Sequence, residues 1–462
     1  MMSPVFAARR SALARALQMS GSGVAIVATA PEQRRSADSD HPYRFDSSFH
    51  YLSGFEEPDA WLLLTSDGRS LLLCRPADAE REVWEGVRLG PDAAPARLGV
   101  DAAAPVGELD AALDRWLDGC DNVWLGFGAP SEVRQRVERR IAALAKRARD
   151  GARAPSALRD LDPLLADMRL IKDDSELATM RRAGSISAGA HVRAMRFVAA
   201  RFRGGAAGVA EYEIEAELLH EFRRHGASGP AYGSIVAAGA HACVLHHPAG
   251  PGELRPGELC LIDAGCELDG YASDITRTFP ADGRFSDPQR ALYEVVLAAQ
   301  RAAIDATRPG ARQRDAHHAA VRVLSQGLLD CGLLDRQQVG DASAVVAAAH
   351  YRRFFMHGTG HWLGRDVHDV GDYAAQNEAP CEQPDGRGGV VVKRPSRVLQ
   401  PGMVVTIEPG LYVRPAADVA ERFWNIGIRI EDDAVVTAGG CELISRGVPV
   451  EIGEIEALMR GC

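Results

Sequence analysis

Lysine is nearly absent from this chain. Of its 53 basic residues only Lys146, Lys172 and Lys393 are not arginine, and 63 acidic residues bring the net charge to −10. No basic stripe is sustained anywhere, which argues against nucleic acid as a partner. Long apolar runs are missing too, and none approaches the roughly 20 residues that a membrane-spanning helix needs. The nine cysteines are scattered without CxxC spacing. They are read as small buried hydrophobes in a reducing compartment, Cys260 and Cys266 among them. Residues 1–20 contain no acid but carry Arg9, Arg10 and Arg15. That composition suits a transit peptide, yet aliphatic and basic residues at helical spacing also describe a first amphipathic helix, and this reading is adopted. The expectation is a cytoplasmic protein.

What is present is ordinary globular material. Apolar residues make up 46% of the 462 and charged residues 25%, so length and composition together indicate two or three soluble domains. Strands are predicted over 24–27, 61–64 and 71–73, the last two joined through Ser66-Asp67-Gly68. Helices are predicted near 107–117 and 131–149. This alternation gives an α/β N-terminal domain over residues 1–170. It holds no catalytic constellation and is read as an assembly or gating module. The junction lies near Met168–Ser175, with Ser175 as N-cap of a helix running towards Ala200. Further helices are expected over 211–224 and from Ser286-Asp287-Pro288 to just before Pro309-Gly310. The Pro-, Gly- and charge-rich stretch 373–396 reads as a solvated insertion.

Chemistry concentrates in the second half. Asp263 closes the apolar run Leu261-Ile262, and Asp274 follows after Leu268-Asp269-Gly270-Tyr271, whose Asp-Gly pair signals a tight hairpin turn. With the turn there, residue 263 faces residue 276 and Asp274 is a diagonal neighbour on the same face. Two carboxylates so close repel unless a cation lies between them. Glu408 ends the apolar run Met403-Val404-Val405-Thr406-Ile407. In Gly427-Ile428-Arg429-Ile430-Glu431, charge alternates with isoleucine, which puts Arg429 and Glu431 on one strand face. His361 stands among Gly358 and Gly360, so its spacing from His357 is not that of a metal-binding helix. Four carboxylates and one imidazole form a hard, oxygen-rich donor set suited to two divalent ions. Manganese is favoured, with cobalt, zinc or iron as alternatives.

These strings resemble the pita-bread metallopeptidases, and among them the aminopeptidase P family. The resemblance is carried by Ile262-Asp263-Ala264-Gly265-Cys266, Asp274-Ile275-Thr276-Arg277-Thr278-Phe279-Pro280, Met356-His357-Gly358, His361-Trp362-Leu363-Gly364 and Asp366-Val367-His368-Asp369-Val370-Gly371. Pro401-Gly402-Met403, Glu408-Pro409-Gly410-Leu411-Tyr412 and Gly427 through Asp433 extend it. In the N-terminal half it continues through Tyr51-Leu52-Ser53-Gly54-Phe55-Glu56-Glu57-Pro58 and Trp84-Glu85-Gly86-Val87-Arg88-Leu89-Gly90. Methionine aminopeptidases have no such half. One departure is Ser48, which stands where the family commonly has an acid.

The resemblance implies an α/β N-terminal domain followed, over residues 171–462, by an α+β pita-bread domain of pseudo-twofold symmetry. It implies Asp263 on one metal, His361 and Glu408 on the other, and Asp274 and Glu431 bridging both. A metal-bridging hydroxide would attack the scissile carbonyl of a peptide with proline in second position, with Glu408 passing the proton to the leaving nitrogen. His246, His357 and His368 are implied as catalytic histidines near the substrate carbonyl and proline pocket, whereas His247 should point elsewhere. Arg429 and Tyr412 are implied as substrate contacts. Trp84 is expected to reach a neighbouring subunit's site in a homodimer or homotetramer. The competing readings are prolidase, which cleaves Xaa-Pro dipeptides with the same ligands, and a non-enzymatic pita-bread peptide-binding module. The module reading, like a metal-free creatinase-like hydrolase, is disfavoured because all five ligands are present.

Overall fold

A computed structural model of the chain describes residues 4–385 and 389–461. It contains two compact units, Met1–Met168 and Arg169–Cys462. In the first unit, period-two strands build one six-stranded mixed sheet. Its order is Ala102–Pro105, Ser70–Cys74, Trp61–Thr65, Gly23–Ala28, Asn122–Leu125 and Ala157–Asp160. Val24, Ile26 and Leu63 enter one apolar cluster, and Ala25, Leu62 and Leu64 enter another. Both faces are therefore buried, as a layered α/β unit requires. The first segment is a helix, Pro4–Ser20; of its three arginines only Arg15 is exposed to solvent. Arg9 and Arg10 are buried, and Arg10 Nη1 donates to Leu52 O at 2.9 Å. That carbonyl lies at the C-terminal end of helix Ser47–Ser53, where unpaired carbonyls attract a cation.

The second unit repeats one plan. Helices Asp174–Arg203 and Glu211–Arg224 pack together, and the antiparallel strands Ile235–Ala238, Leu259–Asp263 and Thr276–Pro280 follow. Helices Asp287–Ala306 and Gln313–Asp330 then pair in the same way. They precede strands Val404–Ile407, Gly410–Val413, Ile426–Arg429 and Asp432–Val436. A single large apolar cluster joins these helices to the strands. No helix among the described residues is long and apolar enough to cross a membrane.

One local expectation is corrected, and the expected solvated insertion carries strands of its own. The first long helix is capped by Asp173, not Ser175: the Asp173 side chain accepts from Ser175 N and Glu176 N, and Glu176 reaches back to the cap. Both residue types satisfy the N-cap preference, and the capping box with Glu176 decides between them. The stretch 373–396 contains a β-hairpin, Cys381–Pro384 against Val390–Lys393, closed below by an Ala374–Ser396 bridge. Its tip, 386–388, lies outside the described residues. Proline and glycine in the stretch hid the strand that Val390, Val391 and Val392 form.

Lys172 explains why one of the few lysines sits where it does. Its Nζ is 3.0 Å from Asp369 Oδ2, and Arg169 Nη2 is 2.6 Å from Asp369 Oδ1. All three side chains are buried, so both cations lean on this carboxylate, with Asp366 as a second, less buried partner of Arg169 at 2.6 Å. Removing it leaves charge in a dry environment. Asp369→Ala is expected to cost the second unit about 3–5 kcal/mol, seen as a lower urea midpoint for that unit's transition. An unchanged midpoint would contradict this role for Asp369.

Candidate metal centre

Turn chemistry places the first two carboxylates. Asp269 and Gly270 both take positive φ, 50° and 74°, the backbone of a tight primed hairpin turn. Asp263 pairs with Thr276, as the turn position dictates. Between the two acids the chain must pass very close to itself. A Cβ at Gly265 would stand 1.7 Å from Ser273 O, so only glycine is tolerated there. Glu408 follows strand Val404–Ile407, and Glu431 falls between Ile426–Arg429 and Asp432–Val436. The His361 segment lies along the Val404–Ile407 strand. Thr406 N donates to His361 O at 3.0 Å, and His361 N donates to Thr406 Oγ1 at 3.1 Å.

Asp263, Asp274, His361, Glu408 and Glu431 all line one cavity of about 630 Å³, together with His246, His357, His368 and Arg429. Ligand atoms of Asp274, His361 and Glu431 lie within 4.8 Å of one another. His361 Nε2 is 3.4 Å from Asp274 Oδ2 and 3.9 Å from Glu408 Oε1. Its Nδ1 donates to Trp362 O at 2.9 Å, which turns Nε2 towards the carboxylates. Burial raises the Asp274 and Glu431 carboxyls, aided by Asp263 beside the first and Asp274 beside the second. Burial also lifts Glu408 to about 7. The His361 imidazole is raised to about 9 because Asp274 and Glu408 outweigh its desolvation. Negative charge is thus under-compensated here, which is the electrostatic signature of a cation site.

Residues outside the expected set hold these carboxylates in place. The Tyr232 hydroxyl donates to Asp263 Oδ1 at 2.7 Å and also contacts Asp274 Oδ1. Thr276 Oγ1 donates to Glu431 Oε2 at 2.6 Å. Arg429 pairs with Asp263 and reaches Thr276 Oγ1 at 3.1 Å, so it approaches Glu431 only through that threonine. No sequence signal singled out Tyr232, which lies in a Gly-Ser loop where an aromatic residue is unremarked. Tyr412 lies behind the cavity wall, 1% exposed; its hydroxyl accepts from Arg429 Nη1 at 3.0 Å and lies 2.8 Å from His357 Nε2. His357 Nδ1 is 2.6 Å from Gly358 O, so both ring nitrogens are engaged. His368 packs edge-on to His361, ring centroids 4.3 Å apart. Trp84 belongs to the first unit, on helix Ala79–Glu85, and is 88% exposed. His247 turns away from the cavity to Glu211.

The donor set fits divalent ions: four carboxylates and an imidazole, with hydroxyl and guanidinium groups fixing the carboxylate orientations. Comparison with known proteins agrees. Residues 178–438 match the model of metallopeptidase family M24, and residues 6–124 that of the aminopeptidase P N-terminal domain. The Xaa-Pro aminopeptidase of Escherichia coli K12 is 43% identical over 458 residues, covering 98% of this chain and 97% of the relative. The solved structure of Pseudomonas aeruginosa aminopeptidase PepP superposes with a TM-score of 0.90 at 45% identity, over 98% and 97% of the two chains. Escherichia coli aminopeptidase P with the inhibitor Pro-Leu gives 0.89 at 42%, over 99% and 98%. Fold and site therefore define a metallo-exopeptidase of pita-bread architecture that uses divalent metal. The chain belongs to metallopeptidase family M24, with the N-terminal domain of the aminopeptidase P branch.

Tyr232→Phe removes one hydroxyl that contacts two carboxylates. We expect metal affinity to fall about 10–100-fold in chelator competition, with the far-ultraviolet circular dichroism unchanged. Wild-type affinity would show that Tyr232 does not orient the acids.

Proposed function

We propose that the enzyme removes the N-terminal residue from peptides with proline in second position. The observation that carries this is the five-donor cavity in a chain similar along almost its whole length to Xaa-Pro aminopeptidases. Asp263, Asp274, His361, Glu408 and Glu431 would hold two divalent ions, manganese foremost, with Asp274 and Glu431 shared. Bound there, divalent ions would supply an activated water as nucleophile and Lewis acidity for the scissile carbonyl.

The remaining work falls to side chains. Glu408, on the wall of the same cavity, is assigned to accept a proton and return it to the leaving nitrogen. That nitrogen belongs to proline, a secondary amine that leaves only once protonated. His357 is lowered to about 3 by burial and by Arg429. It stays neutral, and with both nitrogens engaged it serves the proline pocket as a fixed wall. Burial and the neighbouring His361 also lower His368, so it meets the substrate as a neutral imidazole. His246, on the same cavity, is assigned to the substrate carbonyl. Tyr412 orients His357 and Arg429 from behind, and Arg429 fixes Asp263. The carboxylate-rich end of the cavity receives the substrate's free α-amino group, which limits cleavage to the first bond.

We assign residues 171–462 to catalysis and 1–170 to gating or assembly. In a cytoplasmic homodimer or homotetramer, Trp84, fully offered to solvent, would meet a second copy.

Glu408→Ala removes a metal donor and the proposed proton carrier together and is expected to lower kcat/KM at least about 10²–10⁴-fold with the fold retained; activity near wild type would overturn the role given to Glu408. The manganese-loaded enzyme should release arginine from Arg-Pro-Pro, leave the dipeptide Ala-Pro largely uncut, and fail with EDTA. It should cleave an alanine-for-proline peptide poorly. Preference for the dipeptide would instead define a prolidase. Silence on both, with metal bound, would favour a peptide-binding module.

A further inference from the structure

A second cluster of ligating side chains stands outside the catalytic cavity. Glu211 is the first residue of helix Glu211–Arg224, and its side chain is 0% exposed. Its Oε1 accepts from Ala238 N at 2.9 Å and lies 2.8 Å from His241 Nδ1. Its Oε2 accepts from Gly250 N at 3.2 Å and lies 2.9 Å from His247 Nε2. The two imidazoles face each other, ring centroids 4.2 Å apart, and all three ligand atoms lie within 4.8 Å of one another. Position 252 leaves room for this arrangement. A Cβ on Gly252 would meet His241 Cε1 at 2.8 Å and the Glu211 carboxyl at 3.0 Å.

The buried Glu211 carboxylate meets two backbone amides and two imidazoles, and no arginine or lysine is paired with it among the described residues. The Ala238 and Gly250 amides orient both oxygens, while the two histidine nitrogens approach from the remaining side. His241 is half-exposed, at 46% of its side chain, so an ion has a route in and water can complete its coordination. We propose that Glu211, His241 and His247 form a separate site for one divalent transition ion of the zinc, nickel or cobalt class. Two imidazole nitrogens and one carboxylate make a more nitrogen-rich donor set than the catalytic one. On binding, the ion replaces the hydrogens on His241 Nδ1 and His247 Nε2, and each ring takes its other tautomer and swings about its side-chain bonds to face the ion. The site would tie segment 241–250 to the helix at Glu211. That segment carries His246 into the catalytic cavity, next to His247 in sequence.

The test uses the full chain with Asp274→Asn and Glu431→Gln, which strips the catalytic site. After chelation, the protein is loaded with Zn²⁺ alone, separated from excess by gel filtration and measured by plasma mass spectrometry. We expect about one zinc per chain to remain, and adding His241→Gln and His247→Gln to remove it. No zinc in the stripped protein, or zinc that survives the histidine changes, would overturn the proposal. Should the fourfold variant not fold, the stripped protein is melted with and without Zn²⁺: a rise in melting temperature is expected, and none would overturn the site. Failure of the catalytic-metal reading would look different, because stripping Asp274 and Glu431 would then leave the zinc content of the wild type unchanged.

Discussion

Asp263, Asp274, Glu408 and Glu431 share a cavity with too few fixed positive charges to neutralise them. In a dry site, each charge makes the next harder to hold, so the carboxyls bind protons more tightly than they would in water. Arg429 balances Asp263, and His361 offsets Asp274 and Glu408 in part. Tyr232 and Thr276 add hydrogen bonds without adding charge. The rest must come from divalent cations. The same unbalanced charge that makes the metal-free cavity costly makes the metal-loaded one reactive.

The fold exists around that crowding. Two helix pairs cover two sets of antiparallel strands, and the acids stand at strand ends and hairpin crossings where backbone and side chain can both be held. Close packing enforces the positions. Gly265 passes against Ser273, Gly360 passes against Thr406, and neither admits a larger residue. Farther out, the buried Arg169–Asp369–Lys172 cluster fixes the segment immediately after His368.

The α/β character of the first unit was legible from periodicity, whereas the pita-bread fold and the metallopeptidase reading were legible through strings that resemble a known family. The Asp269-Gly270 turn alone set Asp263 against Thr276, since hairpin register follows from turn position. Tyr232 was not legible: it reaches the carboxylates from a loop, and loop contacts leave no periodic trace. Glu211 with His241 and His247 was missed for a related reason. Three ligands from a helix start and a long connection carry no spacing motif. Asp173 and Ser175 compete for one cap, and the spacing from Asp173 to Glu176, which completes a capping box, decides between them. The hairpin at 381–393 was masked by the proline and glycine around it.

Proton release on metal binding tests the account most directly. If Asp274, Glu408 and Glu431 hold protons in the metal-free cavity, divalent ions must displace them. Manganese added to chelated protein in weak buffer near pH 6 should then release roughly one proton or more per chain. His361, raised to about 9, gives up its proton as well, so the release should fall as pH passes about 7, where Glu408 ionises, and persist in part up to about 9. Manganese binding at both pH values with no release at either would contradict the claim that buried, under-compensated carboxylates define this site.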